Sequence, residues 1–139
     1  MATTVGFANA TRTGMLNAIT TAIGAVGLVR IYAGTRPATC DTATSSNTLL
    51  AELPMANPAA PDVTTSTYVW TANAITQDTT ANASDVASWA RVWGQTGSTV
   101  AVFDVDVATS SAGINLNTTQ IVSGGPVQIT AFTITLPNP

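Results

Sequence analysis

Histidine and lysine are both missing from this 139-residue chain, and cysteine occurs once. Without histidine there is no Ser–His or Cys–His nucleophile pair, and most zinc sites lose a usual ligand. Without lysine there is no Schiff base, no P-loop and no Ser–Lys pair. Cys40 has no partner for an internal disulfide; it reads as a small, partly buried residue that alanine would replace. Charge is scarce too. Charged residues make up 8% of the chain, against about 25% in a typical domain. The cations are Arg12, Arg30, Arg36 and Arg91, spread along a chain of net charge −3. Phosphate neutralisation needs clustered cations, so nucleic acid is not an expected partner. No apolar run approaches the roughly 18 residues of a membrane span, and the first residues lack the basic start and apolar core of a signal peptide. No membrane partner and no cofactor are expected.

Apolar residues make up 45% of the chain, and Thr, Ser, Asn and Ala stand where charge would otherwise be. Threonine is β-branched, fits a pleated strand and still meets water through its hydroxyl. The composition therefore predicts β structure with a neutral surface, either as an ordinary β domain or as a subunit covered by neighbours. The length suits one domain.

The central stretch is residues 87–107. It predicts two strands joined by a Gly-rich turn at residues 94–97, and this hairpin should lie mid-sheet. In its second arm Ala101, Phe103, Val105 and Val107 alternate with Val100, Val102, Asp104 and Asp106. In the first, Ala90 and Val92 oppose Trp89, Arg91 and Trp93. Other strands are expected at residues 28–33, 49–53, 67–70, 74–76, 114–117, 120–122 and 127–136. The last changes phase, with Val127 and Ile129 on one parity and Phe132, Ile134 and Leu136 on the other. That predicts a bulge or bend near Thr130 and Ala131. Residues 1–11 read as an extended arm anchored by Val5 and Phe7. Residues 13–24 predict one short helix, with Met15, Leu16, Ile19, Ala22 and Ile23 at helical spacing, a cap at Thr11 or Thr13 and a left-handed end at Gly24. Two or three turns are marginal alone, so this helix should lie on the sheet or on a neighbouring subunit. The expected fold is all-β: an antiparallel, jelly-roll-like β-sandwich at residues 25–139, preceded by the arm and short helix at residues 1–24.

Two clusters invite a chemical reading. Asp104 and Asp106 put two carboxylates on one strand face, about 7 Å apart. They suit a solvated hairpin face, a calcium site assisted by Asn115 or Asn117, or a paired-carboxylate hydrolase that holds one acid protonated; the solvated face is favoured and no catalytic residue is assigned. Trp89, Arg91 and Trp93 are either an exposed contact patch, since aromatics and arginine are enriched in interfaces, or a buried layer beneath the helix or a loop. The candidate interface residues are thus Val5, Phe7, Met15, Ile19, Trp89, Arg91 and Trp93.

Three stretches carry a resemblance. They are Ile-Tyr-Ala-Gly-Thr-Arg-Pro-Ala-Thr-Cys-Asp-Thr-Ala at residues 31–43 leading to residues 49–53, residues 72–76 through 87–91, and residues 114–118 through 134–137. Together they resemble a group of small tailed-phage virion proteins in which an IYxGxxP turn, a TANAIT strand and a closing FTITLP strand recur. The resemblance implies a capsid decoration, or cement, protein with no catalytic residues. Such a protein is made in the host cytoplasm, sits on the capsid surface of the virion and clamps major capsid protein subunits. Copies of itself are the other expected partner, as a homotrimer. Removing residues 1–12 is expected to weaken attachment while leaving the sandwich folded. The alternatives are a tail or neck component, and a receptor- or carbohydrate-binding module that uses Trp89 and Trp93.

Overall fold

The computed structural model describes residues 5–64, 68–94 and 99–136. Among them the chain forms one helix, α1 (Asn9–Ile23), and eight strands: β1 (Leu28–Ala33), β2 (Thr48–Pro54), β3 (Val69–Thr71), β4 (Asp85–Gly94), β5 (Val100–Ala108), β6 (Ile114–Leu116), β7 (Gln120–Ile121) and β8 (Ile129–Thr135). The strands join in the order β2-β1-β4-β5-β6-β8-β3, with β7 paired to the start of β4. The β4–β5 hairpin does lie mid-sheet; its expected turn falls largely outside the described residues.

The chain is mostly β with one helix, as composition and alternation imply. The eight strands form a single mixed sheet and not a wholly antiparallel one, because β5 and β6 run parallel, Val107 opposite Ile114 and Ala108 opposite Asn115. Parallel neighbours usually need a long crossover. Here residues 109–113 suffice, helped by Ser111 at a φ of 60°, because only two residue pairs have to align.

Four register shifts bend this sheet. Each leaves one residue without an opposite number: Leu50 in β2, Ser88 in β4, Val102 in β5 and Thr130 in β8. The last lies where the phase change of residues 127–136 predicts it. It lets Val127 and Phe132, of opposite parity, both turn inward. Bulges increase local twist, and the twisted sheet is braced across its ends by the segment after β3. Thr76 N–H donates to the Pro54 carbonyl at 3.0 Å and Asn82 N–H to that of Leu50 at 2.8 Å. The Asp78 carboxylate accepts the Glu52 N–H at 2.9 Å. The outer edge of β2 is covered in this way. Residues 74–76, expected as a strand, are instead part of this cover.

The helix begins a turn earlier than its apolar spacing predicts. Its N-cap is Ala8, which offers no side-chain bond, and the Thr13 hydroxyl is buried without a hydrogen-bond partner among the described residues. Tertiary anchoring replaces the cap. Arg12, in the first turn, is buried; its guanidinium lies 3.8 Å from the Tyr68 ring centre and donates to the Leu136 carbonyl at 2.7 Å. The far end stops as expected: Gly24 adopts a φ of 69° and its N–H returns to the Thr20 carbonyl. The helix lies on its own sheet. Leu16 and Ile23 join the core with Val29, Ile31, Leu53, Trp70, Val92 and Ile114; full burial of such a side chain contributes about 1.5–3 kcal/mol. Asn17 clamps the long loop, donating to the Val63 carbonyl and accepting the Val63 N–H at 2.7 Å.

Candidate interaction surface

The outward face of the sheet centre carries a row of charges. Glu52, Arg30, Arg91 and Asp104 stand opposite one another across β2, β1, β4 and β5. Two arginines side by side would repel, but each is held by the acid on its outer flank. Arg30 Nε donates to Glu52 Oε2 at 2.9 Å. Arg91 makes a two-pronged pair, Nε to Asp104 Oδ1 at 2.6 Å and Nη2 to Oδ2 at 2.9 Å. A loop closes over it: Arg91 also donates to the carbonyls of Thr42 at 2.6 Å and Thr39 at 3.3 Å. The hydrogen bond to Asp104 raises the Arg91 pKa above its ordinary value. The Arg91 side chain is 1% exposed and that of Asp104 9%.

The aromatic side chains fill the spaces beside this row. Trp89 stacks on Tyr32 with ring centres 4.7 Å apart. The Arg91 guanidinium lies 5.4 Å from the Trp89 ring and 5.8 Å from that of Trp93, which Arg30 also approaches at 5.2 Å. These distances allow cation–π attraction. Of the two readings of Trp89, Arg91 and Trp93, the structure has the buried layer under a loop. As an exposed patch the trio is corrected: Trp89 and Arg91 are buried and Trp93 is half-buried. Trp89 therefore presents no free ring to a sugar.

The two carboxylates also separate. Asp104 belongs to Arg91, while Asp106 accepts from Arg36 at 2.9 Å on the exposed side of the strand. The Asn115 and Asn117 side-chain oxygens accept the backbone N–H groups of Ala112 and Gln128, so they serve turns. The solvated-face expectation holds for Asp106 and fails for Asp104, whose partner sits on the neighbouring strand. Cys40, beside the Arg91 pair, has its thiol pushed up to about 11, first by burial and then by the nearby Asp104 carboxylate. Among the described residues no group of three or more His, Cys, Asp or Glu side chains is placed to hold a metal ion. No described helix is long and apolar enough to cross a membrane.

Of the other candidate residues Val5, Phe7 and Met15 are exposed, and Ile19 is half-buried against the core. Met15 and Ile19, with Ala18 and Ala22, form one wall of a groove of about 480 Å³; Val102, Phe103, Asp104, Val105 and Ile134 form the other. Side chains alternate faces along a strand; Val102 stands at the β5 bulge, and Asp104 reaches the groove beside Phe103 and Val105 where the strand edge is open. The pairing agrees. Beyond β4, β5 meets β6 at Val107 and Ala108, and no strand among the described residues pairs with residues 100–106 on that side. Ahead of the helix, Val5 is 54% and Phe7 45% exposed. A Cβ placed on Gly6 would meet nothing within 4 Å, so the arm stands clear of the body there.

Sequence reasoning missed Asp104, Thr39 and Thr42 as partners of Arg91, missed the Arg30–Glu52 pair beside it, and missed the β5 edge. No protein-family model matches the chain, and neither a curated protein nor a solved structure matches it.

Proposed function

We propose that this protein is a phage capsid decoration protein that binds the outer head surface and staples major capsid protein subunits, acting as a homotrimer on the virion after synthesis in the host cytoplasm. The supporting observation is the arm and groove: an uncharged, exposed apolar segment and a largely apolar channel whose one acid, Asp104, is tied to Arg91. Exposed apolar surface of this kind marks protein contact sites. The motif resemblance of residues 31–43, 72–76 and 134–137 supplies the head-surface role. A jelly-roll-like sandwich, formed by the curl of one sheet, belongs to the same proposal.

The test is to incubate the purified protein with tailed-phage capsids stripped of their accessory proteins, then measure co-sedimentation and image the particles. Density at repeated sites over the whole head supports the reading, whereas density confined to a tail vertex, or none, refutes it. The truncation for this experiment stops at residue 7. Removing residues 1–12 would also take away Arg12, and with it the bonds to Leu136 and Tyr68.

A further inference from the structure

The groove between α1 and β5 has an apolar helical wall, an open strand edge and no occupant among the described residues. We propose that it seats the N-terminal arm of a second copy of this protein, with Val5 and Phe7 as the inserted side chains. The inference rests on the groove and the arm alone and holds with or without a capsid.

Reach argues for a second copy. The helix rises about 1.5 Å per residue, which puts Ile19 about 15 Å beyond Asn9. Residues 5–8 span about 13 Å when fully extended. To enter its own groove that segment would have to reverse at Ala8, which is extended at φ −60° and ψ 151°, and Val5 and Phe7 would still stop short of the middle. An arm from another molecule meets neither limit.

Chemistry argues for this segment. Val5-Gly6-Phe7-Ala8 is uncharged and apolar, like the Met15, Ile19, Phe103 and Ile134 side chains that line the groove. Ala18 and Ala22 leave space opposite the sheet for a ring. In an extended segment Val5 and Phe7 point the same way, about 7 Å apart, while Gly6 lets the backbone come close. Laid along residues 100–106, such a segment adds a strand to the open edge and gains main-chain hydrogen bonds, a recurring mode of peptide recognition. The edge of β5 is then covered, as the outer edge of β2 already is.

The experiment is sedimentation of the full chain over a range of concentrations, without capsid. F7D disables the arm; A18R blocks the groove from an exposed helical position that tolerates arginine. M15D is a second groove variant, and thermal melting by circular dichroism checks that each folds. The wild type associates, and each variant raises the dissociation constant about tenfold or more. Mixing F7D with A18R restores hetero-association, because one brings an intact groove and the other an intact arm. A wild type that stays monomeric, association unchanged in both kinds of variant, or a mixture that fails to complement overturns the proposal. Capsid binding is read separately, so monomeric protein that still coats capsids refutes the exchange and leaves the decoration reading standing.

Discussion

Arg91→Ala is the sharpest test of how the centre of this sheet is held. The substitution removes the two-pronged bond to Asp104 and the donors to Thr39 and Thr42. The carbonyls of that loop can turn to water. Asp104, 9% exposed, cannot, so its carboxylate is left desolvated and alone. Breaking a buried pair on one side costs about 3–5 kcal/mol, well above the at most about 1 kcal/mol of an exposed pair such as Arg36–Asp106. Taking about 4 kcal/mol, and about 2.1 cal/mol/K of unfolding entropy per residue, Tm falls by roughly 14 °C. Replacing both partners, as Arg91→Met with Asp104→Leu, removes the stranded charge and recovers most of the loss. Urea unfolding followed by tryptophan fluorescence measures all three proteins, since Trp89 and Trp93 flank the guanidinium. The reasoning is refuted if Arg91→Ala costs less than about 1 kcal/mol, or if the double variant is no more stable than Arg91→Ala.

Two further outcomes follow from local geometry. Gly94→Ala places a Cβ 2.6 Å from the Ala22 carbonyl oxygen and 2.7 Å from Ile23 Cα, all backbone, so the helix end must lift and stability drops by about 1–3 kcal/mol; an unchanged urea midpoint would contradict this contact. The Cys40 thiol, pushed up to about 11 from 9.0, reacts with iodoacetamide at pH 8 about a hundredfold more slowly in the native than in the unfolded protein, because that is the ratio of thiolate fractions. The folded state holds this proton more tightly, so the group's stabilisation is complete below pH 9 and is lost as pH rises toward 11; equal labelling rates would show that the thiol is not shielded.

How far the sequence discloses this fold depends on what each segment faces. The bulge at Thr130 is legible because its strand has one wet face, so a change of apolar parity has to be absorbed by an extra residue. The bulge at Ser88 leaves no such trace: Ala90 and Val92 are buried on one face of β4 and Trp89 and Arg91 on the other, so a slip exchanges one buried set for another. The bulges at Leu50 and Val102 likewise change no apolar parity that stands out along β2 and β5. The start of α1 is invisible to periodicity, since Arg12 reads as a surface charge until Tyr68 and Leu136 are set against it. At the candidate site the Trp89–Arg91–Trp93 spacing is plain, but its lid is not, because Thr39 and Thr42 lie some 50 positions away. The arm residues Val5 and Phe7 and the helix residues Met15 and Ile19 are legible as apolar positions. The open β5 edge beside them comes from topology, which no local pattern carries.

The bond between Arg12 and the Leu136 carbonyl spans 124 positions. Helix α1 is thus secured by a backbone oxygen made long after it, and a helix of 15 residues holds poorly in water by itself. At about 5–20 residues per second, the ribosome takes roughly 6–25 s to supply that partner. For much of that interval Leu16 and Ile23 lack part of the core they will join, which extends to Ile114 and Phe132, and nascent chains on one messenger carry the same incompletely sheltered stripe side by side.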